Sequence, residues 1–194
     1  MSIEPSRSLK KPELKTVPSR TIVRPAKAST KHNPLLSEAC LAHLNYRIQQ
    51  EEYSSRIYLS MSMWLNDNAF KNTAAVWKKY SEEELSHANW AREYLLSMGV
   101  QPSTPALAAP GDNYAGLPEI VQISFDHEIT ITEQCKELAK NAFRDGDTML
   151  FTLTQKYLSE QIEEHDKMQN HMDALETFGT DKIALRLFDN SLES

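Results

Sequence analysis

A chain of 194 residues with 40% hydrophobic and 25% charged positions can fold as one self-sufficient domain with an appendage, so it needs no disulfide framework. Its two cysteines, Cys40 and Cys135, are expected as buried thiols rather than a bridge, which points to a reducing compartment. No apolar run reaches the roughly 18 residues of a membrane span and no secretory core opens the chain, so a cytoplasmic protein without a membrane partner is expected.

The net charge of −6 is unevenly spread: residues 1–34 hold eight Lys or Arg against Glu4 and Glu13, a balance of +6 that leaves −12 for the rest. Five of the nine prolines (Pro5, Pro12, Pro18, Pro25 and Pro34) also fall there, among Ser and Thr and with little apolar periodicity. Such composition reads as a basic, flexible N-terminal extension. Beyond it, the prolines and glycines sit at breaks: Gly99, Gly146 and Gly179 close helical runs, and the rest mark the stretch from Val100 to Leu117, with Pro118 directly after it.

Four long helices follow from the spacing of apolar residues. The first, over about 36–67, aligns Leu41, Leu44, Ile48, Glu51, Ser55, Tyr58 and Leu65, so Glu51 interrupts an apolar stripe. The second, over about 72–98 after a polar turn at Asp67 and Asn68, aligns Trp77, Tyr80, Glu84, His87, Ala91, Tyr94 and Met98. A third, over about 117–145, carries Leu117, Val121, Ser124, Glu128, Ile131, Cys135, Leu138 and Ala142 on its seam, and a fourth, over about 147–178, carries Leu150, Thr154, Tyr157, Gln161, Glu164, Met168 and Leu175. Short turns make antiparallel pairs of the first with the second and the third with the fourth. The Pro-containing connection of roughly 18 residues is long enough to run the length of a bundle. The expected fold is therefore all-α, a four-helix bundle over 35–179 with one long crossover, followed at 180–194 by a short, apolar fifth helix expected at a subunit contact.

The seams place four glutamates, a histidine and a glutamine in the core, where like charges without partners would each cost several kcal/mol. Glu51 precedes Glu84 by the same 33 residues that separate Glu128 from Gln161, and His87 and Glu164 each follow three positions later. Residues at i and i+3 share a helix face, so two hairpins direct ligand-type side chains at one point. Glu51, Glu84, Glu128 and Glu164 supply −4, which two divalent cations neutralise; oxygen ligands with one imidazole suit iron or manganese. A solvated acidic face is the alternative for the fourth helix taken alone.

At these residues the chain resembles the ferritins, and among them the haem-free bacterial type. The resemblance runs from about Leu36 to Leu192 and includes Leu44-Asn45, Glu51 with Tyr53-Ser54-Ser55 and Tyr58, Glu83-Glu84-Leu85-Ser86-His87, His127-Glu128 and Ser159-Glu160-Gln161-Ile162-Glu163-Glu164. It implies a first iron position at Glu51, Glu84 and His87, and a second at Glu84 as bridge, Glu128 and Glu164 with Gln161 nearby. It further implies a third position at Glu83, Glu160, Glu163 and Glu164, and a tyrosine beside the centre at Tyr58. The implied activity is oxidation of Fe(II) by dioxygen or peroxide, with storage as mineral in a hollow homo-oligomer of 24 subunits. Leu85 stands where bacterioferritins have the methionine that holds haem, so haem is not expected. Lys156 stands where bacterial relatives often have a tryptophan, and Phe151 and Thr154 where animal heavy chains have acidic channel residues.

Two other readings stay open: a rubrerythrin-like di-iron oxidase without storage, and a ferritin that holds DNA or another anionic partner through its basic extension. An organelle-targeting role for that extension is the third, weakened by Glu4, Glu13 and the prolines. His43, His127, His165 and His171 are expected at the surface or at subunit contacts, the methionines Met61, Met63, Met168 and Met172 in apolar gaps, and Asp145 and Asp147 in a helix-capping turn.

Overall fold

Three of the four long helices begin where a side chain of the cap residue or of a neighbouring element takes up a free N–H group. In the computed structural model, which describes residues 36–192, Ser37 accepts from the Cys40 amide at 3.1 Å and starts α1 (Glu38–Asp67). Asp147 accepts from Leu150 at 2.9 Å and starts α4 (Thr148–Phe178), the capping role expected of that turn. Between them lie α2 (Lys71–Ser97) and α3 (Leu117–Arg144), the latter with Pro118 in its first turn, where a missing N–H costs nothing. No strand occurs among the described residues. The basic segment 1–34 lies outside them.

The short α5 (Lys182–Ser191) is tied to the start of α2. Phe70 offers α2 no side-chain cap; instead Asp189 of α5 accepts from the Thr73 amide at 2.9 Å and from its hydroxyl at 2.8 Å. Phe188 is fully buried beside it, so Phe188→Ala would cost about 3–5 kcal/mol. Ile183 and Leu187 on the same helix remain exposed.

Helices α1 and α2 form one hairpin and α3 and α4 the other. The connection between the hairpins follows α1 along its length. Asn45 accepts from the Ser103 amide, Gln49 donates to the Ala106 carbonyl, Ser60 donates to the Gly111 carbonyl, and Tyr114 lies edge-on to Trp64 at 5.9 Å. The loop thus descends in register with α1, roughly 28 Å at the helical rise, and returns the chain for α3.

Two apolar clusters fill the ends of the bundle. One gathers Met61, Leu65, Trp77, Leu117, Ile120, Met168, Leu175 and Phe188; the other Leu36, Leu44, Ile48, Leu95, Leu138 and Leu150. On every long helix the ligand-type residues fall between these clusters, which puts them at the waist of the bundle with apolar packing above and below. Both cysteines are free and buried.

Candidate metal centre

At this waist Glu51, Glu84, His87, Glu128, Gln161 and Glu164 are each no more than 6% exposed. They come from four helices, and their helical spacing turns all of them inward. Glu51, Glu84 and His87 each offer a ligand atom within 4.8 Å of the other two, and His87, Glu160 and Glu164 form a second such group. His87 Nδ1 lies 3.4 Å from Glu84 Oε2, and its Nε2 lies 3.5 Å from Glu160 Oε1. The ring rests on Trp90 with centroids 4.7 Å apart, and Tyr157 donates to the His87 carbonyl at 2.8 Å, so both ring and backbone are held.

The second hairpin's groups already have donors. The buried Tyr58 hydroxyl donates to Glu128 Oε1 in a short contact, and Gln161 Nε2 donates to Glu128 Oε2 at 3.4 Å. Thr132 fixes the orientation of that amide by donating to Gln161 Oε1 at 2.7 Å, which turns the amide nitrogen toward Glu128. Lys167 Nζ donates to Glu164 Oε1 at 2.9 Å and to Glu83 Oε2 at 3.2 Å. Of the remaining residues expected at a third position, Glu160 is partly exposed and Glu163 faces solvent.

Electrostatics show how crowded this charge is. Burial, then Glu51 and Glu128, raise the Glu84 carboxyl well above its ordinary range. Burial pushes Glu128 up to about 7, although the Tyr58 hydrogen bond works against the rise. Glu164 is also raised by burial, with Lys167 opposing. Carboxyls displaced upward together, in a space walled by apolar side chains, are short of positive charge.

Arg47 and Lys167 supply part of it, and the seams gave no sign of either. Arg47 is 2% exposed and its Nε lies 2.7 Å from Glu51 Oε1. Burial works against its charge, but Glu51 and the other nearby groups more than offset that. The available signal was Arg47 four residues before Glu51 and Lys167 three after Glu164, spacings at which opposite charges pair on a helix. Thr132 was missed because it lies one position beside the seam residue Ile131, where periodicity assigns no partner.

Two histidines depart from expectation. His171 is buried, accepts or donates with the Tyr80 hydroxyl at 2.7 Å and lies against Trp77 at 5.1 Å. His127 reaches Ser54 Oγ at 2.7 Å, with its ring edge-on to Tyr58 at 5.9 Å. His171 is a core group and His127 only partly exposed, each with a ring nitrogen against a hydroxyl from the opposite hairpin.

A model of the ferritin-like domain matches residues 41–178, most of the chain and every residue of the central cluster. The chain belongs to the ferritin family. It is 33% identical over 158 residues to a probable bacterial non-heme ferritin-like protein of Haemophilus influenzae, covering 81% of this chain and 96% of the relative. It is also 31% identical over 160 residues to the bacterial non-heme ferritin of Escherichia coli O157:H7, covering 82% and 97%. Among solved structures, an open pore ferritin from the archaeon Archaeoglobus fulgidus superposes with a TM-score of 0.78 at 27% identity, covering 81% of this ferritin and 96% of that one. Its four-helix bundle with a short C-terminal helix is the fold the seams and the crossover led one to expect. No described helix of this ferritin is long and apolar enough to cross a membrane.

Proposed function

We propose that this ferritin oxidises Fe(II) at the waist of its bundle and stores the product as mineral inside a hollow shell of 24 subunits. The reading is supported by one observation: four buried carboxylates from four helices lie near enough for their charges to raise the pKa of Glu84 and Glu128, with the His87 imidazole, Arg47 and Lys167 beside them. Glu51, Glu84 and His87 bind the first iron, Glu84 bridges, and Glu128 and Glu164 bind the second. Gln161 stays a neutral hydrogen-bond donor to Glu128, so the second position carries less charge for holding the ferric product. Tyr58 donates its hydroxyl hydrogen to the opposite oxygen of Glu128 and sits within the apolar wall.

Two Fe(II) ions lose one electron each; dioxygen that takes both electrons with two protons leaves as hydrogen peroxide, and peroxide in the same role leaves as water. The protein's share is positioning and charge compensation. A third position at Glu83, Glu160, Glu163 and Glu164 exists only when iron displaces the Lys167 ammonium from Glu83 and Glu164, so it serves as a transit point rather than a resting site. The exposed Ile183 and Leu187 of α5 give that helix an apolar face for a subunit contact in the shell.

Stopped-flow oxidation of Fe(II) by the purified protein, with electron microscopy of the product, tests both halves. Rapid oxidation and filled shells support the reading. Oxidation at the wild-type rate by Glu84→Ala would remove the bridging assignment. Light scattering that finds only monomers or dimers, with oxidation intact, would leave a di-iron oxidase without storage.

A further inference from the structure

Arg47 is the group at the centre that the ligand scheme does not use. One turn before Glu51 on α1, it is buried, with Nε 2.7 Å from Glu51 Oε1 in an ion pair that lacks hydrogen-bond geometry, and its Nε and Nη2 are buried without a hydrogen-bond partner. Nη1 donates to Gln134 Oε1 of α3 at 3.0 Å and lies 3.8 Å from Cys135 Sγ, which anchors the guanidinium to the opposite hairpin. The second oxygen of the glutamate, Oε2, is buried with no hydrogen-bond partner. Glu51 therefore has one oxygen engaged and one unsatisfied, in a group of three residues whose ligand atoms lie within 4.8 Å of one another.

We infer that Arg47 is a positioning residue that reserves Glu51 Oε1, so that Glu51 binds a divalent metal through Oε2 alone and the first position holds metal less tightly than its carboxylates would allow. The inference rests on the proposed reading of the cluster as a metal centre. Two effects oppose each other. Holding the carboxylate still saves the entropy of one side chain, which favours binding. A guanidinium that never loses its proton repels a divalent ion a few ångströms away, in a site where water screens little. Repulsion is the larger, and reservation of Oε1 adds to it by denying the metal a chelating ligand. A weaker hold suits a position that must pass its ion on. If Arg47 served only to join α1 to α3 through Gln134, its loss would lower stability by the same amount with and without metal.

Titration of the metal-free, full-length protein with Co(II) under argon, read by visible absorption and by thermal melting, separates these. Arg47→Gln is expected to bind Co(II) about tenfold more tightly than wild type. Its visible bands should be weaker for each ion bound, because a chelating Glu51 raises the coordination number, and its melting temperature should rise more on Co(II) addition. Arg47→Lys keeps the charge and is expected within about threefold of wild type. Unchanged or weaker binding by Arg47→Gln, with an equal loss of melting temperature in both states, overturns the inference. Should that variant not assemble, Arg47→Met replaces it with the same expectations, and tenfold tighter binding by Arg47→Lys overturns the charge argument on its own. Wild-type protein that binds no Co(II) would instead remove the metal-centre reading beneath it.

Discussion

The two hairpins present ligand-type residues at the same spacing, yet their hydrogen-bonding states are opposite. In α1–α2, Glu51 pairs with Arg47 through one oxygen and keeps the other buried with no hydrogen-bond partner, and Glu84 lies against Glu51 and 3.4 Å from His87 Nδ1. In α3–α4, Glu128 accepts from Tyr58 and Gln161, Gln161 accepts from Thr132, and Glu164 accepts from Lys167. Matching positions in a repeat thus do not make matching sites. Which carboxylate is available to a metal depends on the donors its neighbours provide, because a satisfied oxygen must first lose a hydrogen bond. On the proposed metal-centre reading, the open oxygen of Glu51 is expected to take a metal before the second hairpin does, with Arg47 keeping that hold weak.

The largest expected effect breaks that comparison directly. Glu84→Ala should slow Fe(II) oxidation by at least about a hundredfold, since loss of a ligand exceeds the 10–100-fold cost of losing a residue behind one. Glu164→Ala should retain one equivalent of Co(II) per subunit; equal loss of metal in both variants would show that the hairpins do not load in order. Next is the contact between Tyr80 of α2 and His171 of α4. Burial lowers the His171 pKa from 6.5 to about 4, so below pH 6.5 the unfolded chain takes a proton that the folded chain refuses. Stability from this group is complete above pH 6.5 and is lost as pH falls toward 4, by about 3 kcal/mol at most. His171→Gln, which can still bond Tyr80, should flatten that acid limb in denaturant melts; an unchanged slope would mean the ring is wet.

A smaller effect tests the donors of the second hairpin. Tyr58→Phe leaves Glu128 with Gln161 as its remaining donor, and should lower the stability of the metal-free protein by about 2 kcal/mol in urea titration. No change would show that the hydroxyl bond contributes nothing net. The smallest concerns the two turns. Ala69 between α1 and α2 and Gly146 between α3 and α4 adopt nearly the same backbone, φ 65° and 68°. Only Gly146 does so without strain. Ala69→Gly should gain about 0.5–1 kcal/mol and Gly146→Ala lose about as much, measured by thermal denaturation.

Much of this ferritin could be read from its residues in order. The seams of α1 to α4 are buried almost as the periodicity set them, with Glu51, Glu84, Glu128, Gln161 and Glu164 among apolar neighbours. The length of the second connection already required a crossover, and the loop lies along α1. These features were legible because a helical period fixes where each Cβ points, and because Gly and Pro mark where the period stops. The position of Asp189 on the free N–H of Thr73 was not, since residues more than a hundred apart meet only after α5 has docked.

Sequence alone determined that acids from four helices would face one point, because local geometry sets the direction of every side chain on a helix. The helical seams alone did not show what neutralises them. Arg47 and Lys167 occupy positions that periodicity assigns no role, yet each reaches the centre along a flexible stem, and His171 enters the core only because Tyr80 meets it there. The ends of long side chains answer to the packing of the hairpins against each other. That packing, not the order of residues, decided which carboxylate oxygens are left without a donor.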